Sequence, residues 1–178
     1  LPPQNVGSSM IVDFGSNRTG ITVVTNGTAV YTATLEFGGT SLVATLVKEL
    51  GVSITDAHRL LHEHGLSATG AHKELFTTII GGISILKDEI NRRFIYWHEK
   101  KDQFAPMPSI DTIYFCGGYS TIAGLADYLS VTLKLKVVTV NPWTNCVSFD
   151  TAIPRLPHDE AMSYVTAIGL ALADYLYD

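Results

Sequence analysis

Residues 10–37 read MIVDFGSNRTGITVVTNGTAVYTATLEF, and this stretch decides the fold. Met10-Ile11-Val12 is a short apolar run that ends at Asp13, the pattern of a buried strand. β-Branched residues crowd the stretch from Thr19 to Thr25, and a second strand-like run covers residues 28–37. Between the two stands Asn26-Gly27. Both residues tolerate a positive φ, so the pair predicts a type I′ turn and a β-hairpin. With the run before it, the hairpin gives three consecutive antiparallel strands. Residues 1–9, rich in Pro, Gly and Ser, read as a leader ahead of them.

Gly38-Gly39 interrupts the strand pattern, and helical spacing takes over. Leu42, Leu46, Val47 and Leu50 share one helix face, and Gly51 is placed to cap its C-terminus. Ser53, with Asp56 three residues on, marks a second helix start resembling a capping box, and that helix runs to about His64. A third helix is predicted over residues 71–100, with Leu75, Ile79, Ile83, Leu86, Ile90, Phe94 and Trp97 as its apolar stripe. Gly81-Gly82 in its middle costs about 1 kcal/mol per glycine relative to alanine, so a neighbour comes close there or the helix kinks. After a loop at 102–109, residues 110–116 and 136–140 read as strands. Residues 122–133 and 159–175 read as helices, with a Pro-containing loop at about 142–157. Strand–helix alternation requires parallel strands with right-handed crossovers. The expected architecture is α/β: a ribonuclease H-like lobe with a mixed five-stranded sheet, helices on both faces and a helical insertion.

Composition excludes several classes. Of 178 residues, 46% are hydrophobic and 16% charged, which is incompatible with a disordered chain. The formal charge of −5 leaves no basic footprint for a phosphate backbone, so nucleic-acid binding is not expected. Two cysteines, Cys116 and Cys146, with no CxxC pair, exclude a disulfide framework and point to a reducing, cytoplasmic compartment. No run reaches the roughly 18 apolar residues of a membrane span, so no direct membrane insertion is expected. The chain opens Leu1-Pro2-Pro3-Gln4, without the basic start of a signal peptide and without an initiator Met, which reads as a fragment or a processed chain.

Two glycine turns follow two apolar strands, and parallel pairing would open both at one end of the sheet. In the first, Asp13-Phe14-Gly15-Ser16-Asn17-Arg18-Thr19, Gly15 lets the backbone turn beneath a phosphate. The amides after it and the hydroxyls of Ser16 and Thr19 would donate to phosphate oxygens, and Asp13 would hold Mg²⁺ through water. The second, Cys116-Gly117-Gly118-Tyr119, admits a flat ligand or a phosphate to a helix start. Taken singly, such turns are more often ordinary loops; their pairing in this element order is the telling feature.

Blander readings compete at other positions. His58, His62 and His64, with His72 nearby, raise a metal site, but zinc needs three or four converging ligands and no Cys or acidic motif completes the set. A solvated helix end is the simpler account. Asp13 and Glu36 admit a two-metal nuclease, against which the acidic charge argues. Cys116 has no His or Asp partner in sequence and reads as an inert core thiol. Phe94, Tyr96 and Trp97 form either core packing or a partner surface.

Residues 13–19 resemble the second phosphate motif of the actin-like ATPase superfamily. Ile113-Tyr114-Phe115-Cys116-Gly117-Gly118, continuing to Ile122-Ala123-Gly124-Leu125, resembles its adenosine motif. Ala167-Ile168-Gly169-Leu170-Ala171 is similar to the helix that connects its two lobes. Phe37-Gly38-Gly39, Glu89-Ile90-Asn91-Arg92, Asn141-Pro142-Trp143 and residues 164–172 resemble the PilM family of type IV pilus assembly proteins, more than the related cell-division family FtsA. The resemblance covers about residues 10–176.

It implies the second, C-terminal lobe of a cytoplasmic ATPase in the inner-membrane platform of type IV pili or type II secretion. Residues 10–39 and 107–178 would be its core subdomain, and 40–106 a helical insertion above the cleft. The implied ligand of the full-length protein is ATP or ADP with Mg²⁺. Gly15, Ser16, Asn17 and Thr19 would hold phosphates, Asp13 the Mg²⁺, and Gly117, Gly118, Tyr119 and His58 would flank adenosine. The nucleotide would lie between this lobe and a first lobe of the same protein, so this lobe alone would not hydrolyse ATP. The cytoplasmic tail of a PilN-like membrane protein would dock on that first lobe, outside this chain.

One stretch departs from the family. Its Ala-Glu-x-x-Lys pattern is matched here by Ala57-His58-Arg59-Leu60-Leu61. Loss of the two polar groups removes hydrogen bonds worth about 0.5–1.5 kcal/mol each. A scaffold that keeps the fold without nucleotide is therefore the competing reading. A sugar or acid kinase of the same superfamily is a third, for which no substrate motif is present.

Overall fold

Alternation along the first strand separates the two faces of the sheet. In β1 (Ser8–Phe14), Met10, Val12 and Phe14 are fully buried, while Ile11 and Asp13 point to the opposite face and are only half-buried. β1 pairs antiparallel with β2 (Thr19–Thr25), which pairs antiparallel with β3 (Thr28–Leu35). Asn26 and Gly27 join them with φ of 48° and 80°, the left-handed pair a type I′ turn requires. On its other side β1 lies parallel to β4 (Ile110–Cys116), and β4 parallel to β5 (Lys136–Thr139). The five-stranded order is β3-β2-β1-β4-β5, the mixed sheet of a ribonuclease H-like lobe. The computed structural model describes residues 7–67, 73–100, 108–147, 150 and 152–176. Residues 1–6 of the expected leader, His72 and most of the loop at 102–109 lie outside the described residues.

Three helices separate the hairpin from β4: α1 (Gly39–Leu50), α2 (Ile54–Glu63) and α3 (Lys73–Lys100). Gly51, at φ 65°, ends α1 by donating to the Val47 carbonyl. Ser53 opens α2: its hydroxyl oxygen accepts from the Asp56 amide at 3.0 Å. The stripe on α3 is buried at Leu75, Ile79, Ile83, Leu86, Ile90 and Trp97, and Phe94 packs against it half-buried. With Met10, Val12, Phe14, Ile113 and Phe115 of the sheet, these residues form one continuous apolar core that also takes in Leu125 and Leu129 of α4 (Leu125–Leu133).

Some boundaries differ from the sequence reading. β1 begins at Ser8, so two residues of the expected leader are strand, and the Ser8 and Thr25 hydroxyls bond each other at 2.7 Å. α4 starts at Leu125, because Ser120 and Thr121 bond back to the carbonyls of Gly117 and Gly118 and Gly124 takes a φ of 75°. The single helix expected at 159–175 is broken into α5 (His158–Ala161), a 3₁₀ turn (Met162–Tyr164) and α6 (Val165–Leu176). The break re-aims the chain: Ala161 and Met162 are buried, whereas α6 runs with most of its described side chains exposed. Val165, Ile168 and Leu172 of α6 face Ile11, Tyr114 and Val138 on the second face of the sheet, across an apolar cleft of about 390 Å³. Helices therefore stand on both sides of the sheet, packed into the core on one and set across a cleft on the other.

Candidate functional site

Parallel pairing of β1 and β4 sets Asp13 opposite Cys116, so the turns that follow the two strands leave the sheet at the same edge. The first turn is closed by the Gly15 amide, which donates to the Arg18 carbonyl at 3.1 Å. The second is stitched to the first by the Tyr119 amide, which donates to the Phe14 carbonyl at 3.1 Å. Gly117 makes this contact sterically feasible. Its φ is +93°, and a Cβ there would stand 2.6 Å from the Phe14 oxygen and collide with the Asp13 carboxylate.

The start of α1 pins the first turn from the far side. The Gly39 and Thr40 amides donate to the carbonyls of Gly15 and Ser16 at 3.0 and 2.9 Å. The Thr40 hydroxyl reaches the Ser16 carbonyl at 2.7 Å and the Asn17 side-chain oxygen at 3.1 Å. Tyr119 packs against the bare backbone of Gly39 and tilts 6.0 Å from the Phe14 ring, and burial pushes its phenol up from the usual range. α2 and the residues just after it are fastened to the segment that follows the second turn by two backbone bonds, Leu66 amide to Ala123 carbonyl at 2.9 Å and Ala123 amide to Leu61 carbonyl at 3.2 Å.

Between these segments lies an open cleft of about 430 Å³, within the size range of small-ligand sites. Ser16 lines it from the first turn, His58, Leu61 and His62 from α2, Gly118 and Tyr119 from the second turn, and Asp159, Glu160 and Ser163 from α5 and the 3₁₀ turn. Four of the expected site residues, Ser16, His58, Gly118 and Tyr119, therefore share one cleft. His58 sits 5.8 Å from Tyr119, ring centre to ring centre. Asp13 lies at the strand end beside Gly117 and accepts from the Thr166 hydroxyl at 3.4 Å. Gly15 shapes the turn, and Asn17 is exposed at its tip.

Thr19 does not play its expected part. It is fully buried, and its hydroxyl donates to the Phe37 carbonyl at 2.7 Å, which ties β2 to the chain leaving β3 and removes that hydroxyl from any phosphate. The sequence reading missed Asp159, Glu160 and Ser163, whose place in the cleft follows from the break after α5 and carries no local signal. Of the histidines weighed for a metal, His62 pairs with Asp159 at 3.2 Å and His64 lies 3.7 Å from Glu63. Among the described residues no group of three or more His, Cys, Asp or Glu side chains converges to hold a metal. Burial pushes the Cys116 thiol up to about 12, the state of an inert core cysteine. No helix among the described residues is long and apolar enough to cross a membrane.

The family model described as type IV pilus assembly protein PilM matches residues 1–175. No curated protein matches the sequence. Among solved structures, the chain is similar to the PilM-PilN type IV pilus biogenesis complex, with a TM-score of 0.74 and 19% identity over 93% of this chain and 45% of that one. It is also similar to MreB5 of Spiroplasma citri bound to AMPPNP, with a TM-score of 0.65 and 12% identity over 99% of this chain and 56% of that one. Ta0583, an archaeal actin homolog in complex with ADP, gives a TM-score of 0.61 and 14% identity over 97% and 51%. The fold is thus that of an actin-like lobe, and the chain spans about half the length of each of these three structures.

Proposed function

Because this chain belongs to the type IV pilus assembly protein PilM family and has the fold of an actin-like lobe, we propose that it is the nucleotide-binding C-terminal lobe of a pilus-platform protein. The observation that carries the proposal is the contact of the two glycine turns at one sheet edge, with Ser16, Gly118 and Tyr119 lining a common cleft. The turn at 15–17 takes the phosphates, and Gly117, Gly118, Tyr119 and His58 flank the adenosine. Asp13 is one half-buried carboxylate at a strand end, with oxygen donors only. That suits Mg²⁺, which keeps most of its waters and accepts one or two carboxylates beside phosphate. When bound, the ion would neutralise phosphate charge; Asp13 would orient it through water. Residues 10–39 and 107–178 act as the core subdomain in this reading, and 40–106 as the insertion that overhangs the cleft.

A first lobe of the same protein supplies the remaining wall, and this lobe alone does not hydrolyse ATP. The apolar cleft under α6, with Leu170 of that helix 71% exposed, supports a large partner on that side. A PilN-like membrane protein engages the other lobe and holds the assembly to the cytoplasmic side of the inner membrane.

Two observations favour a second reading, a scaffold without nucleotide. Thr19 gives its hydroxyl to Phe37, and His58 and Leu61 stand where the family pattern has an acid and a lysine. Calorimetry of Mg-ATP with the two-lobe protein separates the two. Binding that vanishes in Asp13→Ala and Gly118→Val supports the nucleotide site; a folded protein that gives no heat at millimolar nucleotide is the scaffold.

A further inference from the structure

The cleft has a fastening across it. His62, on α2, places Nε2 3.2 Å from Oδ2 of Asp159 on α5, and both residues line the cleft. The other oxygen of the same carboxylate lies 3.3 Å from His158 Nδ1. His158 Nε2 in turn lies 3.2 Å from the carbonyl oxygen of Val140, just past β5. Both ring nitrogens of His158 thus face acceptors, and only the imidazolium donates to both.

The surrounding charges leave this pairing intact. On α2, Arg59 is bound to Asp56 at 3.1 Å and Glu63 at 3.3 Å, and Glu63 also lies 3.7 Å from His64. His58, one turn before His62, is turned towards Tyr119. Glu160, beside Asp159, faces the cleft and adds negative charge to the wall that His62 meets.

We propose that His62, Asp159 and His158 form a latch between the α2 and α5 walls, which a nucleobase must part to enter. The inference rests on the nucleotide reading above. A hydrogen bond to a carboxylate is charge-assisted and about twice as strong as a neutral one, so the contact opposes entry of the base. Both partners are about half exposed, so the effect on affinity is modest, about two- to five-fold.

The test is Mg-ATP affinity of the two-lobe protein for wild type, His62→Ala, Asp159→Asn and the double variant, all in one buffer. The latch predicts that His62→Ala binds about two- to five-fold tighter than wild type. It predicts the double variant to match the better single one, because the two changes break the same contact. Weaker or unchanged binding in His62→Ala, or additive gains in the double variant, overturns the latch alone. No binding by wild type overturns the nucleotide reading and the latch with it.

Discussion

Gly117 couples the two halves of the site through the space its missing Cβ leaves. At φ +93°, with the Phe14 oxygen 2.6 Å from where a Cβ would sit, Gly117→Ala adds backbone strain to a collision. A loss of about 1–3 kcal/mol is expected in urea unfolding. Gly118→Ala meets only the hydroxyl of exposed Ser163, which can rotate away, so it costs less than about 1 kcal/mol. Cys116 offers a pH test. Its thiol is raised from 9.0 to about 12 by burial first and by the Asp13 charge second. The unfolded thiol ionises at lower pH than the folded one, so this contribution to stability is whole below about pH 9 and is lost as the pH climbs towards 12. Alkaline destabilisation over that window is expected to be shallower in Cys116→Ala. Iodoacetamide at pH 8 is expected to label exposed Cys146 and to spare Cys116 until the protein unfolds.

Adjacent glycines in α3 have opposite roles. A Cβ on Gly81 meets nothing, so Gly81→Ala is expected to stabilise the protein by about 0.5–1 kcal/mol through helix propensity. A Cβ on Gly82 would stand 2.5 Å from buried Leu42 Cδ2 and 3.3 Å from the Phe37 ring, and overpacking of about 1–3 kcal/mol outweighs the same gain. A pair of thermal melts with shifts of opposite sign checks both. Two glycines within a strong apolar stripe signalled a close approach or a kink; that a close approach is realised, and at Gly82 alone, depends on where Leu42 and Phe37 pack. The hairpin, the Gly51 cap and the Ser53 cap were legible for the same reason, since their signals lie within a few residues and their energetics are local. Thr19 was misread because a hydroxyl in a phosphate-like motif looks identical whether it faces solvent or a neighbouring carbonyl. The break after α5, and the pairing of His62 with Asp159 that it permits, depend on where separate elements pack.

At the scale of the molecule, one face of the sheet is sealed by a continuous core, while the other carries α6 over an open apolar cleft. If a first lobe covers α6, Leu170→Glu in the two-lobe protein leaves a charge in an apolar interface. The expected loss in stability is well above the roughly 0.5 kcal/mol of a surface substitution, read as a lowered melting midpoint. A midpoint unchanged from wild type places that helix in solvent. Whether the two turns and α2 act together on one ligand is tested by a crystal structure of the two-lobe protein with AMPPNP and Mg²⁺. The account predicts the phosphates against residues 15–17, Mg²⁺ held to Asp13 through water, and the base between His58 and the α5 wall above Gly118. Nucleotide bound away from both turns, or an empty cleft at saturating ligand, contradicts it.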